Sequence, residues 1–224
     1  MKKKFLIIGI IILAILFWGL AAIHPSSDVL GNVISSVKTD EKIVALTFDD
    51  GPGEDTETIL NILKEKDVKA TFFVTGIRVE EKPDILKRTT VEGHEIGIHG
   101  MTHKLFVIKN YYELANNKEQ VENIINQTVK YYRPAYGFKT SCTLRTARKL
   151  GLQTVTWNIF PMDYNKPGEE VLVSRVIRNL KPGSIIALHD GPAEREQTNN
   201  ALPIIIDQAR EQGYRFVTIT ELLG

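Results

Sequence analysis

"IVALTFDDGP", residues 43–52, decides how the rest of the chain is read. Ile43 to Phe48 form a short, almost wholly apolar run, which suits a strand buried on both faces. The run stops at two adjacent carboxylates, Asp49 and Asp50, followed by a Gly-Pro turn signal. Asp, Gly and Pro are common turn formers, so the stretch can be read as the plain end of a strand. Two like charges side by side are nevertheless costly, and a nearby cation would relieve that cost.

Six further short runs repeat the strand pattern: "ATFFV" (70–74), "EIGIH" (95–99), "KYYRP" (130–134), "TVTWN" (154–158), "SIIALH" (184–189) and "RFVTI" (215–219). "KYYRP" is the least apolar of them. Between the runs lie segments of helical period. In "EDTETILNILKEK" Ile59, Ile62 and Leu63 share one face, with acids early and lysines late as the helix dipole favours. "YYELANNKEQVENIINQTV", "GEEVLVSRVIRNL" and "LPIIIDQAREQ" behave alike. Strands alternating with helices imply parallel pairing and right-handed crossovers. About seven parallel strands suit an α/β chain folded as a closed or nearly closed barrel, with an open doubly wound sheet as the alternative.

A barrel places its active site at the C-terminal ends of its strands. The polar residues gather there: Asp49 and Asp50 after the first strand, His99 after the third, Arg133 after the fourth, Asp163 after the fifth, His189 and Asp190 after the sixth. "HGMTH" sets His99 and His103 four apart, which brings two imidazoles together on a helical turn or in a suitable loop. Two His and one carboxylate can hold a hydrolytic metal with open positions, usually zinc. His94 falls in the turn before the third strand, and His24 lies beside the N-terminal apolar segment; neither needs a role.

"TFDDGP", "HGMTH", "YYRPAYG", "WNIFPMDY" and "SIIALHDG", in this order and spacing, resemble the motifs of the polysaccharide deacetylase family. That family is also known as carbohydrate esterase family 4, or the NodB homology domain. The resemblance extends over about residues 42–224, closing on "GYRFVTITELL". It implies a deformed (β/α) barrel with one divalent metal, zinc first, with cobalt or another divalent ion as alternatives. It implies Asp50, His99 and His103 as metal ligands and Asp49 as the base that takes a proton from the attacking water. Arg133 would orient Asp49, and the backbone N–H of Tyr136 would face the oxyanion. His189 would be the acid that protonates the departing sugar amine, held by Asp163. Leu188 and Tyr164 would line the acetyl pocket.

The chain departs from the family pattern at three positions. Gly100 stands where a Ser or Thr usually follows the first His, and Thr102 is the nearest hydroxyl that could replace it. Phe160 stands where the fourth motif usually has an Asp, and Tyr164 where it has a Trp. No proposed ligand or proton-transfer residue is missing.

The implied reaction is hydrolysis of N-acetyl groups on amino sugars of a cell-wall polysaccharide, peptidoglycan first, with release of acetate. Deacetylation of chitin-type oligosaccharides and deformylation or deacylation of a lipid-linked sugar are the enzymatic alternatives. A non-catalytic wall-binding protein is the remaining one. The substrate partner is therefore an acetylated glycan polymer.

Flanking segments set the location. Lys2, Lys3 and Lys4 in the cytoplasmic stretch 1–4 precede "FLIIGIIILAILFWGLAAI", residues 5–23, which is long enough to cross the ~30 Å core of a bilayer as a helix. The positive-inside rule keeps the lysines in the cytoplasm, so residues 5–23 read as a membrane anchor and the catalytic part is extracytoplasmic. A cleavable signal peptide, with Gly19 and Ala21 near the cleavage site, would give a secreted protein instead. Residues 24–41 read as a polar tether and 42–224 as the catalytic domain. With 28 basic and 27 acidic residues among 224, nothing marks a nucleic-acid footprint. The single cysteine, Cys142, excludes an internal disulfide and reads as a small, partly buried apolar residue.

Overall fold

Strand β1 (Ile43–Asp49) has neighbours along both edges in the computed structural model, which describes residues 2–105 and 111–224. β2 (Thr71–Val74) lies on one side, followed outward by β3 (Glu95–Ile98), β4 (Tyr131–Tyr132) and β5 (Gln153–Thr154). β6 (Ile185–His189) lies on the other side. β7 (Arg215–Val217) pairs with Ile43–Ala45 at the start of β1. Every one of these pairs is parallel, as alternation with helices requires. The sheet curls into a half-barrel whose ends are β5 and β6.

Those two ends are bridged by the stretch read from sequence as a tether. Ile34 pairs with Val155 beyond β5, and Ser36 pairs with Ser184 beside β6. The Ile34 N–H donates to Thr154 at 2.9 Å, the Thr156 N–H donates to Ile34 at 2.8 Å, and the Val37 N–H donates to Gly183 at 2.9 Å. Exposed strand edges are open to wrong pairings, and this segment covers both. Polar composition hides such a role because main-chain pairing does not depend on the side chains. The boundary drawn at residues 41–42 therefore falls inside hydrogen-bonded structure.

Helix α1 (Lys2–Ile23) projects from the barrel. Within residues 5–23, the apolar side chains from Phe5 to Leu20 are exposed, and only Ala21 and Ala22 are buried. Phe5–Ile23 is long and apolar enough to cross a membrane. The chain leaving it is pinned by Lys139, which is fully buried: its N–H donates to Ala22 at 3.0 Å and its Nζ to His24 at 2.6 Å. A lysine on the last carbonyls of a helix is favoured by the helix dipole.

The remaining helices cover the outside: α2 (Thr56–Glu65), α3 (Gly76–Glu81), α4 (Pro83–Val91), α5 (Tyr111–Ile125), α6 (Ser141–Lys149), α7 (Glu169–Ile177), α8 (Glu196–Glu211) and α9 (Ile219–Leu223). α6 escapes a periodicity search because Leu144 and Ala147 are its only buried apolar residues, but a Thr140–Thr143 capping box starts it. α8 begins six residues before the "LPIII" run and carries Pro203 inside it. An interior Pro removes one helical hydrogen bond, a cost offset here by burial of Leu202, Ile205 and Ile206. "TVTWN" contributes only Thr154 to β5 and continues as a single isolated bridge at Val155. Cys142 is exposed on α6, contrary to its expected partial burial.

Strand alternation separates two cores and builds the site. On β1, Val44, Leu46 and Phe48 face the helices, in one cluster with Ile59, Leu60 and Leu202. Ile43 and Ala45 face the barrel interior with Phe73, Trp157 and Ile185. Thr47 and Asp49 continue that inner row, so it runs from apolar to polar as it rises to the C-terminal rim. On β6 the inner row is Ile185, Ala187 and His189.

Candidate active site

Register brings the functional side chains together. Asp49 and His189 are paired residues of adjacent strands, and Ile98 pairs with Tyr132, which sets His99 beside Arg133. His99 and His103 are carried by an irregular loop, where His103 adopts a φ of 51°. One ligand atom from each of Asp50, His99 and His103 lies within 4.8 Å of the others. His99 Nε2 is 3.5 Å and His103 Nε2 is 3.3 Å from Asp50 Oδ1. That oxygen is buried and has no hydrogen-bond partner, an arrangement a cation would satisfy.

The histidine chemistry fits a metal as well. His99 Nδ1 lies 2.7 Å from the Arg133 carbonyl, which can only accept, so the ring proton sits on Nδ1 and Nε2 keeps its lone pair for the ion. Burial, despite the opposing pull of Asp50, lowers the His99 pKa to about 3. A neutral imidazole is the form that ligates.

Asp49 is gripped by Arg133 Nη1 at 2.6 Å, and both are buried. The same Nη1 donates to Thr47 Oγ1 at 2.7 Å, while Nη2 donates to the Thr156 carbonyl at 2.9 Å and Nε to Val155 at 3.4 Å. The guanidinium lies 4.0 Å from the Phe73 ring centroid. Arg133 thus fixes Asp49 through its side chain and His99 through its carbonyl.

Asp163 holds His189 twice. Oδ1 lies 2.7 Å from His189 Nδ1, and Oδ2 accepts the His189 main-chain N–H at 2.9 Å and the Thr198 hydroxyl at 3.0 Å. Burial alone would lower the His189 pKa, but the hydrogen bond and charge of Asp163, helped by Asp49 and Asp50, raise it overall. With Nδ1–H on Asp163, Nε2 is the nitrogen free to exchange a proton with a substrate. Asp190, the next residue, is buried, and burial raises its pKa to about 7.

A cavity of about 460 Å³ lies over these groups, walled by Trp157, Phe160 and Tyr164 on one side and by Tyr136 near His103 on the other. Phe160 stacks on Trp157 with ring centroids 4.7 Å apart. Tyr136 is exposed and takes a left-handed φ of 58°. A larger cavity, about 590 Å³ beside His94 and Glu95 at the opposite ends of the strands, lacks a comparable metal-ligand cluster among the described residues.

Of the ten residues named from sequence, the structure gathers nine in or directly behind this cavity. Leu188 is the exception. Period-two alternation turns it outward to the helices, fully buried in the outer core, and Ala187 faces inward instead. Trp157, Thr47 and Thr198 were not foreseen. Thr47 was findable, being two residues before Asp49 on the same strand face.

A family model described as polysaccharide deacetylase matches residues 36–155. The chain belongs to the polysaccharide deacetylase family. Similarity continues past the matched stretch to His189. A peptidoglycan-N-acetylglucosamine deacetylase of Bacillus cereus is 39% identical over 206 residues, covering 86% of this chain and 93% of that one. Among solved structures, the Bc1960 peptidoglycan N-acetylglucosamine deacetylase is 34% identical with a TM-score of 0.82, over 85% of this chain and 92% of that one. A CE4 family pseudoenzyme from Bacillus anthracis is 31% identical with a TM-score of 0.81, over 86% and 69%. As a polysaccharide deacetylase this protein is a hydrolase of a metalloenzyme family, and Asp50, His99 and His103 are a cluster that could hold a metal ion.

Proposed function

We propose that the protein removes N-acetyl groups from the N-acetylglucosamine residues of peptidoglycan, releasing acetate. The observation that carries this reading is one cavity lined by the Asp50–His99–His103 cluster, a carboxylate gripped by Arg133 and a histidine gripped by Asp163. Similarity to a pseudoenzyme means that the fold alone does not decide activity, whereas an intact set of opposed proton-transfer groups argues for it.

Asp50, His99 and His103 would hold a divalent ion, zinc first; when bound, it would polarise a carbonyl and acidify water. Asp49, kept in place by Arg133, takes the proton of the water that adds to the acetamide carbonyl. The Tyr136 main-chain N–H donates to the developing oxyanion. His189, its Nδ1–H fixed on Asp163, passes a proton from Nε2 to the departing amine of the sugar. Tyr164, Phe160 and Trp157 form an aromatic wall suited to the apolar faces of a sugar and its methyl group.

Residues 5–23 serve as a membrane anchor in this reading, supported by their exposed apolar surface and the lysines before them. Acetate release from peptidoglycan and from chitin oligomers, with and without chelator, tests the activity. Zinc-loaded protein that frees no acetate from either glycan would refute it. Carbonate-washed membranes should retain the full-length chain; recovery of only a shortened form in the medium would establish a signal peptide instead.

A further inference from the structure

Residues 99–103, which carry both histidine ligands, have no regular secondary structure, and two of these five, Gly100 and His103, take left-handed φ values of 92° and 51°. Their peptides are held from outside on both sides. The carbonyls of Gly100 and Met101 accept the N–H groups of Gly76 and Ile77 at 3.0 and 2.9 Å, at the start of α3. The corresponding N–H groups point to α5. Gly100 N–H donates to Asn117 Oδ1 at 3.0 Å, and Met101 N–H donates to the Glu113 carboxylate, which also accepts from Thr102. Asn117 is fully buried. Glu113 and Asn117 are four apart, so both face the loop from one side of the helix.

We propose that Glu113 and Asn117 are positioning residues that hold His99 and His103 in ligating geometry, replacing from α5 the hydroxyl that family members carry at the position of Gly100. A side chain at Gly100 would be poorly tolerated in this chain. Its Cβ would lie 3.0 Å from Glu113 Oε1, and the left-handed backbone disfavours any residue but Gly. Gly100 and Glu113 therefore form one device: the absent side chain makes room for the carboxylate, and the carboxylate supplies the missing acceptor. Burial raises the Glu113 pKa against the pull of its two N–H donors, and Glu113 Oε2 has no partner. A carboxylate held there despite that cost also adds negative charge beside the loop segment that carries both histidines. This inference rests on Asp50, His99 and His103 being the ligands.

The full chain in detergent, as Glu113→Gln, Glu113→Ala and Gly100→Ser, tests it by three readouts. These are zinc affinity by competition with a chromophoric chelator, the visible spectrum of the cobalt-loaded protein, and the thermal midpoint of the metal-free protein. Outer-sphere partners of metal ligands are typically worth 10–100-fold in affinity. Both Glu113 variants should weaken zinc binding by about tenfold or more and alter the cobalt spectrum, with the metal-free midpoint little changed. Gly100→Ser should weaken zinc binding as well. Wild-type zinc affinity and an unaltered cobalt spectrum in the Glu113 variants would overturn the proposal, as would tighter zinc binding by Gly100→Ser. A lowered metal-free midpoint with an unaltered spectrum would show a purely structural role and overturn it too. A wild-type chain that binds no zinc, or a His99→Ala chain that binds it normally, would instead refute the ligand assignment.

Discussion

Replacing Arg133 with Met would remove four donor contacts at once: Asp49 at 2.6 Å, Thr47 at 2.7 Å, the Thr156 carbonyl at 2.9 Å and the Val155 carbonyl at 3.4 Å. The chief cost comes from Asp49. It is 2% exposed, and without Arg133 its carboxylate would stay buried with no ion-pair partner. Breaking a buried pair from one side typically costs about 3–5 kcal/mol, because a charge is stranded. Removing the charge from Asp49 as well should recover part of that loss. Arg133→Met/Asp49→Asn should therefore be less destabilised than the sum of the two single variants, by about 2 kcal/mol. Urea denaturation of the four proteins of the cycle, with chelator present to remove metal linkage, measures this coupling. A coupling energy below about 0.5 kcal/mol would show that the two side chains act independently, and the positioning argument for Asp49 would fail.

His189→Ala should lower turnover by ~10²–10⁴-fold while zinc content stays at the wild-type level, and Asp163→Asn should produce a smaller loss of the same kind. Unchanged acetate release in both variants would remove His189 from the reaction. A second outcome concerns acid stability. Burial, assisted by Lys69, lowers the His94 pKa to about 4, so the folded protein keeps this ring neutral where the unfolded chain, near 6.5, takes up a proton. The contribution is complete above pH 6.5 and is lost progressively as pH falls from 6.5 to 4, by about 3 kcal/mol in all. Thermal midpoints measured across that range should show a shallower acid decline in His94→Gln; identical profiles would contradict the reading.

The sheet was legible because strand burial and helical period leave opposite marks on sequence, and the polar rim of the candidate site was legible because polar residues end apolar runs there. Even α1 could be read from length and apolarity alone. What sequence concealed has three distinct causes. The covering of the β5 and β6 edges by Ile34 and Ser36 uses main-chain hydrogen bonds, which leave no side-chain signature. Thr198, Glu113 and Asn117 reach the site from helices, where nothing in their local sequence points to Asp163 or to the histidine loop. The reversal of Leu188 and Ala187 has a different origin: alternation from His189 predicts that Ala187 shares its face, and the motif-based reading overrode that rule. Gly100 departs from the family pattern in sequence, and its neighbours Glu113 and Asn117 on α5 are visible only in three dimensions.

Asp49 and Asp50 are neighbours of one chemical type, yet they face different partners: Arg133 for the first, His99 and His103 for the second. Division of labour between them is the central claim. Its most direct test is zinc stoichiometry measured beside acetate release for Asp49→Asn and Asp50→Asn. Asp49→Asn should keep its zinc and lose turnover, with no recovery on adding metal. Asp50→Asn should lose zinc and regain part of its activity when zinc is supplied in excess. Equal zinc loss in the two variants would mean that the carboxylates act as one ligand unit, and would contradict the account.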